Sequence, residues 1–79
     1  MWSLLMKTKA LVLADHYWQY QMWMKQNSLS KKEYKFVDDI PDAEGYDRNT
    51  QVILVGNCLM SAALDMVLDR YSNIVRRHI

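Results

Sequence analysis

With 79 residues, of which 51% are hydrophobic and 24% charged, the chain is long enough for one small domain and apolar enough to form a core. A single cysteine excludes an internal disulfide, and one cysteine with two histidines argues against a structural zinc site. A formal net charge of +1 excludes a strongly basic nucleic-acid binder. Three Trp, five Tyr and six Met are many large apolar side chains for so short a chain, and they indicate that some of them lie on its surface.

The sequence holds no apolar stretch of the roughly 20 residues that a membrane span needs. Residues 1–7 lack both the basic start and the apolar length of a secretion signal. We therefore expect a cytoplasmic protein that does not contact membranes. The whole chain, residues 1–79, is predicted to be a single domain. Its residues 1–6 are interpreted either as an apolar N-terminal arm or as sequence upstream of an alternative start.

The first half of the chain predicts a strand, a helix and a second strand. Residues 10–14 form a continuous apolar run, which is typical of a strand buried on both faces in a parallel sheet. Asp15 follows as a predicted N-cap of a helix over residues 16–27, which contain neither Gly nor Pro. Residues 34–37 alternate and are aromatic or β-branched, as strands commonly are.

The second half predicts an acidic loop, a third strand and a long helix. Residues 38–50 contain Pro41, Gly45 and five acidic side chains, a composition that favours a loop. Residues 52–55 are apolar throughout and predict a strand. Residues 59–75 carry apolar side chains at helical spacing, with Met60 among them, and predict an amphipathic helix.

The predicted order β-α-β-β-α belongs to the α/β class. Two of the three strands are apolar throughout, which favours a mostly parallel sheet covered by helices on its faces. We expect a right-handed first crossover. We also expect three strands in the order 2-1-3, which is a Rossmann-like half domain.

The first helix has two apolar faces. A projection at 100° per residue puts Trp18 and Met22 on one face, nearly opposite a predicted core face. That core face carries Tyr17, Tyr20, Trp23 and Met24. Because Trp and Met are enriched at interface cores, we interpret Trp18, Met22 and Trp2 of the arm as an interaction surface. The alternative is that the arm itself packs over Trp18.

The carboxyl edge of the predicted sheet is the alternative site. Ligands of parallel α/β sheets bind outside this edge, where the strand order reverses. The residues predicted there are Asp15, His16, Asp38, Gly56 and Asn57. The first strand is not followed by Gly-x-Gly-x-x-Gly, so a nucleotide or small anion would have to bind in another mode.

Catalytic and metal chemistry receive little support from the sequence. Cys58 is predicted near a helix N-terminus with His16 at the same edge, a pairing that a thiol nucleophile would need. A lone cysteine is more often an inert small apolar residue. The histidines and acids have no metal-ligand spacing, so we expect no metal, no cofactor and no enzymatic activity.

Several segments carry a resemblance to a known group of proteins. They are residues 9–14, the helix with Tyr17, Gln19 and Gln21, residues 29–37 and residues 49–56. Over residues 7–57 the pattern resembles small Rossmann-like proteins of unknown function encoded by bacteriophages. The resemblance implies a phage accessory protein in the host cytoplasm, and it implies no catalytic residue.

The function that we predict is therefore a protein–protein interaction without catalysis. The partner would be a second copy in a homodimer, or a host or phage protein. Nucleic acid is disfavoured, because Lys31, Lys32 and Lys35 around Tyr34 make only a small basic cluster and an acidic loop follows it. Binding of a nucleotide or small anion at the carboxyl edge is the alternative.

Overall fold

Four strands and two helices make up residues 8–78, the part of the chain that the computed structural model describes. The strands are β1 (Ala10–Leu13), β2 (Tyr34–Val37), β3 (Gln51–Val55) and β4 (Ile74–Arg77). The helices are α1 (Tyr17–Gln26) and α2 (Leu64–Arg70), and a single 3₁₀ turn spans Ile40–Ala43. The predicted α/β class and the three predicted strands are confirmed.

The sheet has the order β2-β1-β3-β4 and is parallel throughout. Val12 of β1 pairs with Phe36 on one side and Ile53 on the other, and Ile53 pairs with Val75 of β4. The predicted order 2-1-3 is present within this sheet, but the prediction of only three strands is wrong. The strand order reverses between β1 and β3. We call the carboxyl ends of these two strands the switch point, which is where ligands of parallel α/β sheets commonly bind.

The predicted helix over residues 59–75 is also wrong in its bounds. Only Leu64–Arg70 is helical, and Ile74–Arg77 forms the fourth strand. A helix as long as predicted would leave the second edge of β3 unpaired. In the structure β4 fills that edge, and the backbone N–H of Val52 donates to the Asn73 carbonyl at 2.8 Å. Met60, predicted in the helix core, lies before α2 and is 74% exposed.

The core consists of two layers, one on each face of the sheet. Side chains alternate along the strands, so β1 contributes Leu11 and Leu13 to one layer and Ala10 and Val12 to the other. The α2 layer is completed by Val37, Ala43, Val52, Leu54, Cys58, Ala63, Val67 and Tyr71. The α1 layer is completed by Ala14, Tyr20, Trp23, Met24, Ile53 and Val55. Three of the four predicted core residues of α1 are therefore buried, and Tyr17 is not.

The C-terminus of α1 is closed by a Schellman motif. Leu29 N–H donates to the Met24 carbonyl at 3.0 Å, and Ser28 N–H donates to the Lys25 carbonyl at 3.3 Å. Leu29 packs on the α1 core layer, which supplies the apolar contact that usually accompanies the motif. Ser28 takes a φ of 53°, a left-handed conformation in which glycine is the residue of lowest cost.

Substitution of Ser28 by glycine is expected to stabilise the domain by about 1 kcal/mol, because it removes the Cβ that opposes a left-handed conformation. A domain of this size should then melt about 4–8 °C higher in a thermal scan followed by circular dichroism. Ser72 is also exposed but does not have a positive φ. Ser72→Gly is the matched control and should not raise the melting temperature; an equal rise in both variants would contradict the explanation.

Candidate functional site

The carboxyl edge brings together the residues that the sequence places there. Asp15 and His16 follow β1, while Gly56 and Asn57 follow the adjacent β3, so both pairs lie at the switch point of the sheet. Asp38 follows β2, the other neighbour of β1. The topology of the alternative ligand site is therefore as predicted, and its chemistry depends on what these groups already bind.

Asp15 does not cap α1. The N-cap residue is His16, whose backbone N–H donates to Gln19 Oε1 at 3.0 Å. The Asp15 carboxylate instead accepts a hydrogen bond at 2.8 Å from the backbone N–H of Met60, 45 residues further along the chain. This contact ties the segment between β3 and α2 to the carboxyl edge and engages one oxygen of the Asp15 carboxylate.

The backbone of Gly56 is likewise engaged within the protein. Its N–H donates to the Arg77 carbonyl at 2.9 Å, and its own carbonyl accepts from Arg76 Nη1 at 2.7 Å. Gly56 has a φ of +75°, which explains why glycine stands at the end of β3. The Gly56 N–H is already used by β4, so it is not free to donate to an anion at this edge.

The other acidic residue of the edge begins a turn. The backbone N–H groups of Asp38 and Asp39 both donate to Asp42 Oδ2, at 3.0 and 3.1 Å. These bonds order the start of the acidic loop. Within residues 8–78, no three His, Cys, Asp or Glu side chains are grouped closely enough to hold a metal ion.

Cys58 lies in the core and not at a helix terminus. Its Sγ is fully buried, 3.2 Å from the Leu13 carbonyl and 3.3 Å from the Val55 carbonyl, and α2 begins only at Leu64. Burial, and secondarily the nearby Asp15, raise the pKa of the Cys58 thiol. The expected proximity to a helix N-terminus is therefore wrong, and the environment opposes the thiolate that a nucleophile requires.

The lysines of the predicted basic cluster contact aromatic rings of the protein. Lys31 Nζ lies 5.5 Å from the ring centre of Tyr17 and 3.1 Å from its hydroxyl. Lys35 Nζ lies 5.4 Å from the ring centre of Tyr46. The two lysines therefore contact aromatic rings of different segments, α1 and the loop before β3, and do not form one continuous basic surface.

The second apolar face of α1 is exposed as the spacing predicts. Trp18 is 54% and Met22 is 44% exposed, whereas Tyr20 and Trp23 on the opposite face are nearly inaccessible. Gln21 and Lys25 are exposed beside them. We call Trp18, Gln21, Met22 and Lys25 the outer stripe; their spacing of i, i+3, i+4 and i+7 places them on one helix face.

Two more exposed apolar residues lie close to the start of this helix. Leu59 is 78% exposed and Met60 74%, and the hydrogen bond to Asp15 holds Met60 beside the first turn of α1. His16 stacks on Trp18 with ring centres 6.2 Å apart and planes within 10°. The apolar spacing over residues 59–75 predicts a helix there, so the exposure of Leu59 and Met60 could not be predicted from the sequence. Trp2, the third predicted interaction residue, lies outside the described residues.

A cavity of about 360 Å³ lies at the amino edge of the sheet, where the sequence predicted no site. The loop before β3 supplies Tyr46 and Arg48, and the end of α2 supplies Asp69 and Arg70. A long ion pair of 3.9 Å joins Arg70 to Glu44 across it. Acidic and basic side chains are balanced here, so the cavity does not select one charge.

Comparison with known proteins gives no relative: no protein-family model, no curated protein and no solved structure matches the chain. Within residues 8–78, neither helix has the length and apolar character needed to cross a membrane.

Proposed function

We propose that this chain is a non-enzymatic protein-binding module that docks its partner on the outer stripe of α1. The observation that supports the proposal is the exposure of Trp18 and Met22 on a helix whose opposite face already supplies the core. A helix that binds only the sheet needs one apolar face, and its second face is normally charged.

The polar residues of the outer stripe also favour burial. From Tyr17 to Gln26 the helix contains no acidic residue and a single charge, that of Lys25. Interface cores are depleted in charged residues and enriched in Trp and Met. Gln21 can form hydrogen bonds to a partner without the cost of desolvating a charge. This composition suits a surface that loses water on binding.

We include the exposed segment Leu59–Met60 as the margin of the proposed surface. The hydrogen bond from the Met60 backbone N–H to Asp15 holds this segment beside the residue that precedes the N-cap of α1. Exposed apolar residues grouped in this way are typical of interaction sites.

Ligand binding at the carboxyl edge has less support, because the Asp15 carboxylate and both backbone groups of Gly56 are engaged within the chain. The resemblance to phage-encoded proteins agrees with an accessory role in the host cytoplasm, and that origin belongs to the proposal.

Affinity capture with matched variants tests this function. Trp18→Lys places a second positive charge on the outer stripe, while Leu68→Lys makes the same change at a helical residue of similar exposure, 49%, on α2. We expect the wild type and Leu68→Lys to retain a bound partner, either another protein or the chain itself, and Trp18→Lys to lose it. Equal capture by all three folded variants would overturn the proposed surface.

A further inference from the structure

We infer that the outer stripe of α1 pairs with the outer stripe of a second copy, antiparallel and across a twofold axis that passes between Gln21 and Met22. This inference rests on the proposed function and names its partner. A twofold interface requires one patch that is complementary to itself, and the order of residues along α1 has this property.

The complementarity follows from the positions of two residues in the stripe. Trp18 and Lys25 are equally distant from the midpoint of residues 21 and 22, so an antiparallel copy sets Trp18 opposite Lys25 of the second chain. A lysine ammonium over the face of a tryptophan is a favourable cation–π contact, and it is strengthened when both groups leave water. The twofold axis forms this contact twice, and Gln21 and Met22 pack between the two pairs.

Charge repulsion does not oppose this arrangement. Lys25 is the only charged residue of the stripe. Because each Lys25 lies level with Trp18 of the other chain, the two lysines are seven residues apart along the helix axes, which is about 10 Å at 1.5 Å per residue. A parallel arrangement would instead place Lys25 against its own copy. The antiparallel pairing is therefore the one that the stripe favours.

Other surfaces of the described chain fit a second copy less well. The free edge of β4 exposes Arg76 and Arg77, and like charges on an edge strand discourage strand pairing between copies. On α2 the exposed Leu68 lies between Asp65 and Asp69, so pairing two such faces would bring four carboxylates together. Charge thus favours α1 over both β4 and α2 as the surface that meets a second copy.

The expected dimer is weak. A pair of ten-residue helices, even with Leu59 and Met60 at its margin, buries less than the roughly 800 Å² per partner of a standard interface. We therefore expect a dissociation constant in the micromolar range, and a dimer that forms in concentrated solution.

Disulfide cross-linking tests the geometry. A cysteine at Met22 would lie beside the twofold axis. For helix axes about 8–9 Å apart, its Cα atom would be about 5–6 Å from the Cα atom of its copy. This is within the range of roughly 4.4–6.8 Å that a disulfide needs. A cysteine at Gln26, which is exposed and lies outside the outer stripe, would be about 13 Å from its copy along the axis and leaves the Trp18–Lys25 contact intact. The native Cys58 is fully buried and serves as an internal negative control.

Under mild oxidation we expect Met22→Cys to form a covalent dimer, and Gln26→Cys and the wild type to stay monomeric on a non-reducing gel. Adding Trp18→Lys to Met22→Cys sets an ammonium opposite Lys25 of the second chain and should abolish the cross-link, and adding Leu68→Lys should not. No cross-link, or equal cross-linking at positions 22 and 26, would overturn the antiparallel dimer. If a different protein is still captured in a Trp18-dependent manner, the proposed function stands without it; if that capture is also absent, both fail.

Discussion

Replacing Trp23 with alanine is expected to lower the free energy of unfolding by about 3–5 kcal/mol, as large aromatic deletions in cores do. Trp23 is 5% exposed and packs edge to face on Tyr34 with ring centres 6.1 Å apart. It belongs to the layer that α1 supplies on its side of the sheet. A domain of 79 residues has about 4–12 kcal/mol in total, so this single change removes a large part of the stability of the fold.

Trp18→Ala is the matched control, because it makes the same substitution five residues earlier on the same helix. Its side chain is half exposed, and we expect a loss below about 1 kcal/mol, as at most surface positions. Urea unfolding of both variants, followed by far-UV circular dichroism in dilute solution, measures the difference. Equal losses would mean that Trp18 is a core residue and that α1 has no free face.

The second large effect is a loss of stability at alkaline pH. Burial raises the pKa of Cys58, Tyr20 and Tyr71, with smaller contributions from Asp15, Tyr17 and Tyr46 respectively. Each group is harder to ionise in the folded chain than in the unfolded chain. The unfolded state therefore releases protons first as the pH rises, and the stability present at neutral pH is lost.

The pH window follows from the ordinary pKa values of these groups. The free energy of unfolding should begin to fall above about pH 8.5, where the thiol of the unfolded chain ionises. It should fall more steeply above about pH 10, where the tyrosines of the unfolded chain ionise. Between its unfolded and folded pKa, each group lowers the unfolding free energy by about 1.4 kcal/mol per pH unit.

Urea unfolding as a function of pH measures this profile. In the Cys58→Ala variant the onset should move from the thiol range to the tyrosine range, whatever the change in overall stability. A profile that stays flat from pH 8 to above about pH 10 would contradict the burial of all three groups.

Much of the fold is predictable from local patterns, and the exceptions have physical causes. β1 and residues 52–55 of β3 are apolar throughout, a pattern that predicts buried parallel strands, and the spacing of α1 predicts a helix. Local patterns do not predict β4, because Tyr71, Ile74 and Val75 continue the helical spacing of α2. Only the unpaired edge of β3, a property of the assembled sheet, makes residues 74–77 a strand.

The candidate site is likewise predictable from the sequence in part and not in full. Two opposite apolar faces on one helix predict that the face with Trp18 and Met22 lies outside the core and is covered either by the N-terminal arm or by a partner, since the core can receive only one face. The exposure of Leu59 and Met60 was not predictable, because it follows from the break before α2. That break is associated with Cys58, whose φ of 56° is unusual for a residue other than glycine and has no signal in the sequence.

The most direct measurement of the binding surface is the change in backbone amide chemical shifts of the isotope-labelled chain between about 10 µM and 1 mM, a range that spans the dissociation constant expected for a small interface. Pairing of α1 with a second copy predicts concentration-dependent shifts over residues 18–25 and near Leu59 and Met60, with Leu68 and β4 unchanged. Shifts confined to β4 or α2, or a spectrum that does not change with concentration, would contradict it.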